Sequence, residues 1–154
     1  MSHPLKYAVV ERERRFLLAA LPVGVVESRE IVDRYLLGTR MRLRQVRAAD
    51  GSVVRKLGHK VRLGPGADEI ACTNFYLDDD EWALLADLPA KTLRKTRHLV
   101  RRDGWVVAVD DLPDGTLLAE IDDGDQPPKD LPTWLDVLAE VTGDERWTGA
   151  SLAR

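Results

Sequence analysis

The chain has 154 residues, of which 44% are apolar and 32% charged, and its formal net charge is -3. This length suits one domain over 1–154 and is too short to suggest two. The acidic balance argues against a nucleic-acid partner, which usually meets a basic protein, and the lone Cys72 excludes an internal disulfide.

Turn residues recur at strand-like intervals: Gly38, Asp50-Gly51, Gly64-Pro65-Gly66, Asp103-Gly104 and Pro113-Asp114-Gly115. In chain order they separate predicted strands over 7–18, 30–37, 40–48, 52–63, 69–77, 92–102, 105–112 and 116–122. Short connections between them predict an antiparallel meander able to close into a barrel. A helix is predicted over 78–88, where Asp78 and Glu81 form a capping signature, Trp82, Leu85 and Leu88 share a face, and Pro89 stops it. In the tail, a turn of helix is expected around Pro132-Thr133-Trp134-Leu135 and a last short helix carrying Trp147 and Leu152. The fold class is therefore α+β: an eight-stranded antiparallel β-barrel with flanking helices.

The apolar stretch 16–26 is broken by Pro22 and is far shorter than a membrane span. The start of the chain does not resemble a signal peptide, so a soluble, cytoplasmic protein with no membrane partner is expected. His3, His59 and His98 are too scattered for a zinc-type site, so any metal would be held by carboxylate oxygens.

Charge is segregated along the chain. Residues 40–62 carry eight Arg and Lys against the single acid Asp50, residues 91–102 are basic without any acid, and 110–130 is acidic. Alternate residues of a strand share a face, which groups Glu11, Glu13 and Arg15; Arg40, Arg42 and Arg44; Lys56, Lys60 and Arg62; Lys95 and Arg97; and Glu120 and Asp122. The intervening positions are largely apolar, as in Leu117, Ala119 and Ile121. An ordinary sheet with one solvated face would account for any single strand. Each strand here tends to one sign, however, and the apolar faces need cover, which helices outside a barrel would supply. Charges turned inward require a wet or filled interior, because burying an isolated ion costs more than the roughly 5 to 15 kcal/mol that holds a small domain together. Many cations facing a few carboxylates suit a polyphosphate shared with Mg²⁺ or Mn²⁺.

The run Glu11-x-Glu13-x-Arg15 resembles the Glu-x-Glu-x-Lys signature of the CYTH superfamily, the triphosphate tunnel metalloenzymes. Further blocks agree in order: Tyr35-Leu36 before Arg40-x-Arg42, Lys95-Thr96-Arg97, Ala119-Glu120-Ile121-Asp122, Pro132-x-Trp134-Leu135 and Glu140-Val141-Thr142-Gly143-Asp144. The resemblance implies an eight-stranded tunnel of the bacterial single-domain type. It implies metal ligands at Glu11, Glu13, Asp110, Glu120 and Asp122, and phosphate-binding residues at Arg15, Arg40, Arg42, Lys56, Lys95 and Arg97. Lys60 is preferred over Lys56 as the family's tunnel lysine, and water activation falls to Glu11 or Glu13. The chain departs from the pattern at Arg15, where Lys is usual, at Cys72-Thr73-Asn74, where many members carry Glu-x-Glu, at Ala108, often acidic, and at Asp122, usually Glu.

The expected function is divalent-metal-dependent hydrolysis of a triphosphate, with inorganic triphosphate favoured because no region is evident to recognise a base or thiazolium ring. A non-catalytic binding module for polyphosphate or nucleotide is the alternative, motivated by the missing acids. RNA binding is disfavoured because Tyr35 is the one aromatic among the basic strands of 30–63. An open tunnel end leaves room for a homodimer partner. Cys72, Trp82, Trp134 and Trp147 read as packing residues, and Asp78-Asp79-Asp80 as charges favoured by a helix N-terminus.

Overall fold

A computed structural model describes residues 5–154; His3 lies outside the described residues. In chain order the elements are β1 (Val9–Leu18), β2 (Val25–Leu36), β3 (Met41–Ala48), β4 (Val53–Arg62), β5 (Glu69–Tyr76), α1 (Asp79–Ala86), β6 (Ala90–Arg102), β7 (Trp105–Asp111), β8 (Leu117–Asp122), β9 (Val137–Glu140), a 3-10 turn (Glu145–Trp147) and α2 (Gly149–Leu152). The alternation of charged and apolar residues does build strands at every predicted site. At the β6–β7 hairpin the chain reverses through Asp103 and Gly104, both at positive φ (50° and 79°), as a tight two-residue turn of this hand requires.

The sheet order β5-β4-β3-β2-β6-β7-β8-β1 closes on itself because the first half of β1 pairs with β5 while its second half pairs with β8. The result is a closed eight-stranded antiparallel barrel. It is not the single meander expected: β2 to β5 form one meander and β6 to β8 another, joined by β2–β6 and by the shared β1. Turn residues mark where strands end, but they do not say which strand edges meet. The tail also differs from expectation, because residues 137–140 form β9 on the edge of β1 beyond β5.

Much of the apolar core lies outside the barrel. Phe16, Leu18, Val100, Val107, Val109, Ala119 and Ile121 stand on outward positions of β1, β6, β7 and β8, and Leu135 seals them with Leu131, Trp134 and Val137. Fully burying such side chains contributes roughly 1.5 to 3 kcal/mol each. The cover on this face is therefore the tail. Helix α1 is capped by the reciprocal Asp78–Glu81 box as predicted, but it buries none of its residues. It is tied on by Arg34, whose Nη2 donates to Ala86 O at 3.0 Å, and by Arg55 over the Trp82 ring at 5.6 Å. Among the described residues, no helix is long and apolar enough to cross a membrane.

Candidate functional site

Inward residues of the strands enclose a cavity of about 580 Å³, a volume typical of small-ligand sites. Ten basic side chains and three carboxylates line it, in a protein whose net charge is acidic. Every predicted phosphate-binding residue is present: Arg15, Arg40, Arg42, Lys56, Lys95 and Arg97. So are Lys60 and the acids Glu11, Glu13 and Glu120. Arg12 and Arg14 point outward, paired with Glu69 and Asp123. Cys72 and Asn74 line the cavity, and Ala108 stands opposite Glu120 in the β7–β8 ladder, so the positions lacking the family's acids face inward.

The inner ion pairs follow from strand register, since residues directly opposite in antiparallel strands share a face. Asp33 opposes Arg44, Arg97 opposes Asp110, and Arg15 opposes Glu120. Arg44 donates Nε and Nη2 to the two oxygens of Asp33 at 2.7 and 2.8 Å. Arg97 grips Asp110 through Nε and Nη2 at 2.7 and 2.9 Å, and its Nη2 also reaches Glu120 at 3.2 Å. Lys95 Nζ donates to Asp110 at 2.7 Å. Lys60 Nζ stands 3.6 Å from Glu11, and Arg15 Nη2 3.4 Å from Glu13. Among the described residues, Arg40, Lys56 and Lys91 make no ion pair.

These contacts split the carboxylates electrostatically. Burial, then the neighbouring Glu120, pushes the Glu13 carboxyl above its ordinary value. Burial acts the same way on Glu120, but Arg97, Lys95 and Arg15 together outweigh it and hold that group low. Asp33 is also buried, yet its hydrogen bonds from Arg44 keep it below the usual range, and Asp110 lies far lower still because Lys95 and Arg97 overcome its burial. Burial lowers Lys95 despite Asp110, and burial with Arg44 and Arg42 nearby lowers Lys56.

Two of the expected metal ligands are engaged by protein groups. Asp122 ends β8 with its side chain turned to the backbone, Oδ1 accepting from Arg12 N at 3.2 Å and Gly124 N at 2.9 Å, and it is not part of the cavity wall. Asp110 is 1% exposed with both oxygens engaged by Lys95 and Arg97. Glu11, Glu13 and Glu120 remain as carboxylates on the cavity, although as the side chains lie, no group of three or more His, Cys, Asp or Glu among the described residues is arranged to hold an ion.

Asp33 escaped the sequence reading, although period two places it on the inward face with Ile31 and Tyr35. The tail also contributes unexpectedly. Thr148, Gly149 and Ala150 line the cavity, Trp147 O accepts from Arg15 Nη1 at 3.2 Å, and Arg62 pairs with Glu145. Gly149 packs against Tyr35 so closely that a Cβ there would lie 2.9 Å from the ring Cζ.

No family model and no curated protein matches the chain. Solved structures do share its fold. The crystal structure of the hypothetical protein NE1496 is similar with a TM-score of 0.58 at 22% identity, over 93% of this chain and 96% of that one. The conserved hypothetical protein Pfu-838710-001 from Pyrococcus furiosus has a TM-score of 0.56 at 21% identity, over 79% and 81%. PH1012 from Pyrococcus horikoshii OT3 has 0.54 at 15%, over 73% and 77%.

Proposed function

We propose that this barrel is a CYTH-like triphosphate tunnel that binds a triphosphate with a divalent cation and hydrolyses it, inorganic triphosphate being the favoured substrate. The observation that carries the proposal is the meeting of ten cations with Glu11, Glu13 and Glu120 in one cavity of a net acidic protein. Tyr35 is the one aromatic residue among those lining it, and it is packed against Gly149, which leaves little with which to stack a base.

Glu11, Glu13 and Glu120 fit Mg²⁺ or Mn²⁺ by donor chemistry; burial is the larger cause of the raised Glu13, and a bound cation would relieve the smaller one, repulsion from Glu120. When bound, the metal would neutralise phosphate oxygens. Arg42, Lys56 and Arg40, having fewer protein partners than Lys95 and Arg97, hold the polyanion, joined by Arg44 through its Nη1. Glu13, the carboxylate with the raised proton affinity, accepts a proton from water as the water oxygen attacks the terminal phosphorus. The bond from that phosphorus to the bridging oxygen breaks, and the cations stabilise the departing pyrophosphate.

The test is phosphate release from inorganic triphosphate, ATP, thiamine triphosphate and pyrophosphate with Mg²⁺ or Mn²⁺, for wild type, Glu11→Gln and Glu120→Gln. Release by wild type that falls in both variants supports hydrolysis; equal background release by all three sinks it. A non-catalytic polyphosphate or nucleotide binding module is the second reading, favoured by Cys72 and Asn74 on the cavity wall where acids are usual in the family. Ligand-induced stabilisation without turnover would select it.

A further inference from the structure

The carboxylate of Asp33 is 0% exposed within the barrel wall and does not line the cavity. Three cations that do line it converge on this one group. Arg44 donates to both oxygens at 2.7 and 2.8 Å, Arg42 Nε stands 3.8 Å away, and Lys95 Nζ 4.0 Å. A buried carboxylate requires a counter-charge, yet Arg44 alone would meet that requirement. Arg42 Nε is buried without a hydrogen-bond partner, so it turns to Asp33 rather than to an acceptor of its own.

We propose that Asp33 is a positioning residue for polyanion binding, one that fixes the Arg44 guanidinium and gathers Arg42 and Lys95 beside it before a phosphate arrives. The inference rests on the polyanion reading above. Two parallel hydrogen bonds set both the plane and the rotation of the guanidinium. They occupy Nε and Nη2 and leave Nη1, which makes no hydrogen bond among the described residues, for a ligand oxygen. Without Asp33 the three cations repel one another and regain rotamer freedom, and that freedom must be lost again when the ligand binds. The depressed proton affinity of Asp33 keeps it ionised for this task across the neutral range.

The experiment is calorimetric titration of inorganic tripolyphosphate with Mg²⁺ into wild type, Asp33→Asn, Arg44→Gln and the double variant, with circular dichroism to verify the barrel. Asp33→Asn is expected to bind about tenfold more weakly, the loss that follows when one charge-assisted hydrogen bond is not formed. Because Asp33 acts chiefly through Arg44, most of that loss should disappear in the Arg44→Gln background, which a merely structural role would not produce. Wild-type affinity in Asp33→Asn, or an undiminished loss in the double variant, overturns the inference. Should Asp33→Asn fail to fold, Asp33→Glu decides. It keeps the charge but displaces it by a methylene, so weakened binding supports positioning and wild-type binding overturns it. Absence of binding by wild type would instead overturn the polyanion reading itself.

Discussion

Lys95 Nζ lies 2.7 Å from Asp110 Oδ2, and both side chains are buried, 6% and 1% exposed. Arg97 shares the same carboxylate. Removing the Asp110 charge strands the buried Lys95, while Arg97 keeps Glu120; leaving one buried charge uncompensated typically costs about 3 to 5 kcal/mol. Asp110→Asn is expected to lower the unfolding free energy by that order in urea denaturation, and a loss below about 1 kcal/mol would show that Lys95 finds another partner.

Acid should unfold the protein through the same groups. Asp33, Asp110 and Glu120 all have folded proton affinities below their ordinary values. Each therefore contributes stability that is present above its unfolded pKa, near 4, and lost as pH falls through the folded value. Melting temperature measured from pH 7 to 3 should fall steeply below about pH 4 for wild type and more gently for Asp110→Asn, which starts lower.

Glu13 has the opposite sign. Its folded proton affinity is raised, so ionisation opposes folding above that raised value, and the penalty vanishes below its ordinary value of 4.5. Glu13→Gln should melt higher than wild type at pH 7 and lose this advantage as pH falls to 4.5, while losing triphosphate turnover. A variant that melts lower than wild type at pH 7 would contradict the burial and the repulsion from Glu120 that raise this group.

Mn²⁺ binding, followed by electron paramagnetic resonance, should separate the carboxylates by placement. Glu120→Gln is expected to weaken it by tenfold or more, on the order seen when a ligand's supporting partner is removed. Asp122→Asn should leave it unchanged, because that side chain caps backbone N–H groups outside the cavity. Equal losses in both would return Asp122 to the site.

Gly149→Ala forces a methyl into the Tyr35 ring. Overpacking of this kind costs about 1 to 3 kcal/mol, and here it should lift the tail from the cavity, seen as a change in Trp147 fluorescence. Adding Tyr35→Phe removes the hydroxyl nearest the new methyl and should recover part of the loss; no recovery would place the strain elsewhere.

The sequence by itself determined the strands, their inward faces and the sign of what they carry. Period two is a local property, so Glu11, Glu13, Arg42, Lys95 and Glu120 could be turned inward without knowing which strand lay beside which. Asp78 and Glu81 likewise fixed the start of α1, because a capping box closes within four residues. Tertiary structure alone decided the pairings. Once β2 had docked on both β3 and β6, Asp33 met Arg44 in register and drew in Lys95 from the other side; period two turns Asp33 inward, but nothing in the run Val32-Asp33-Arg34 names those partners. Register also set Asp110 opposite Arg97, where it is shared with Lys95, and at the end of β8 the Asp122 carboxylate accepts from backbone N–H groups outside the cavity wall. Ion pairs between strands depend on which edges meet, and that is set by closure of the whole barrel rather than by any segment of the chain.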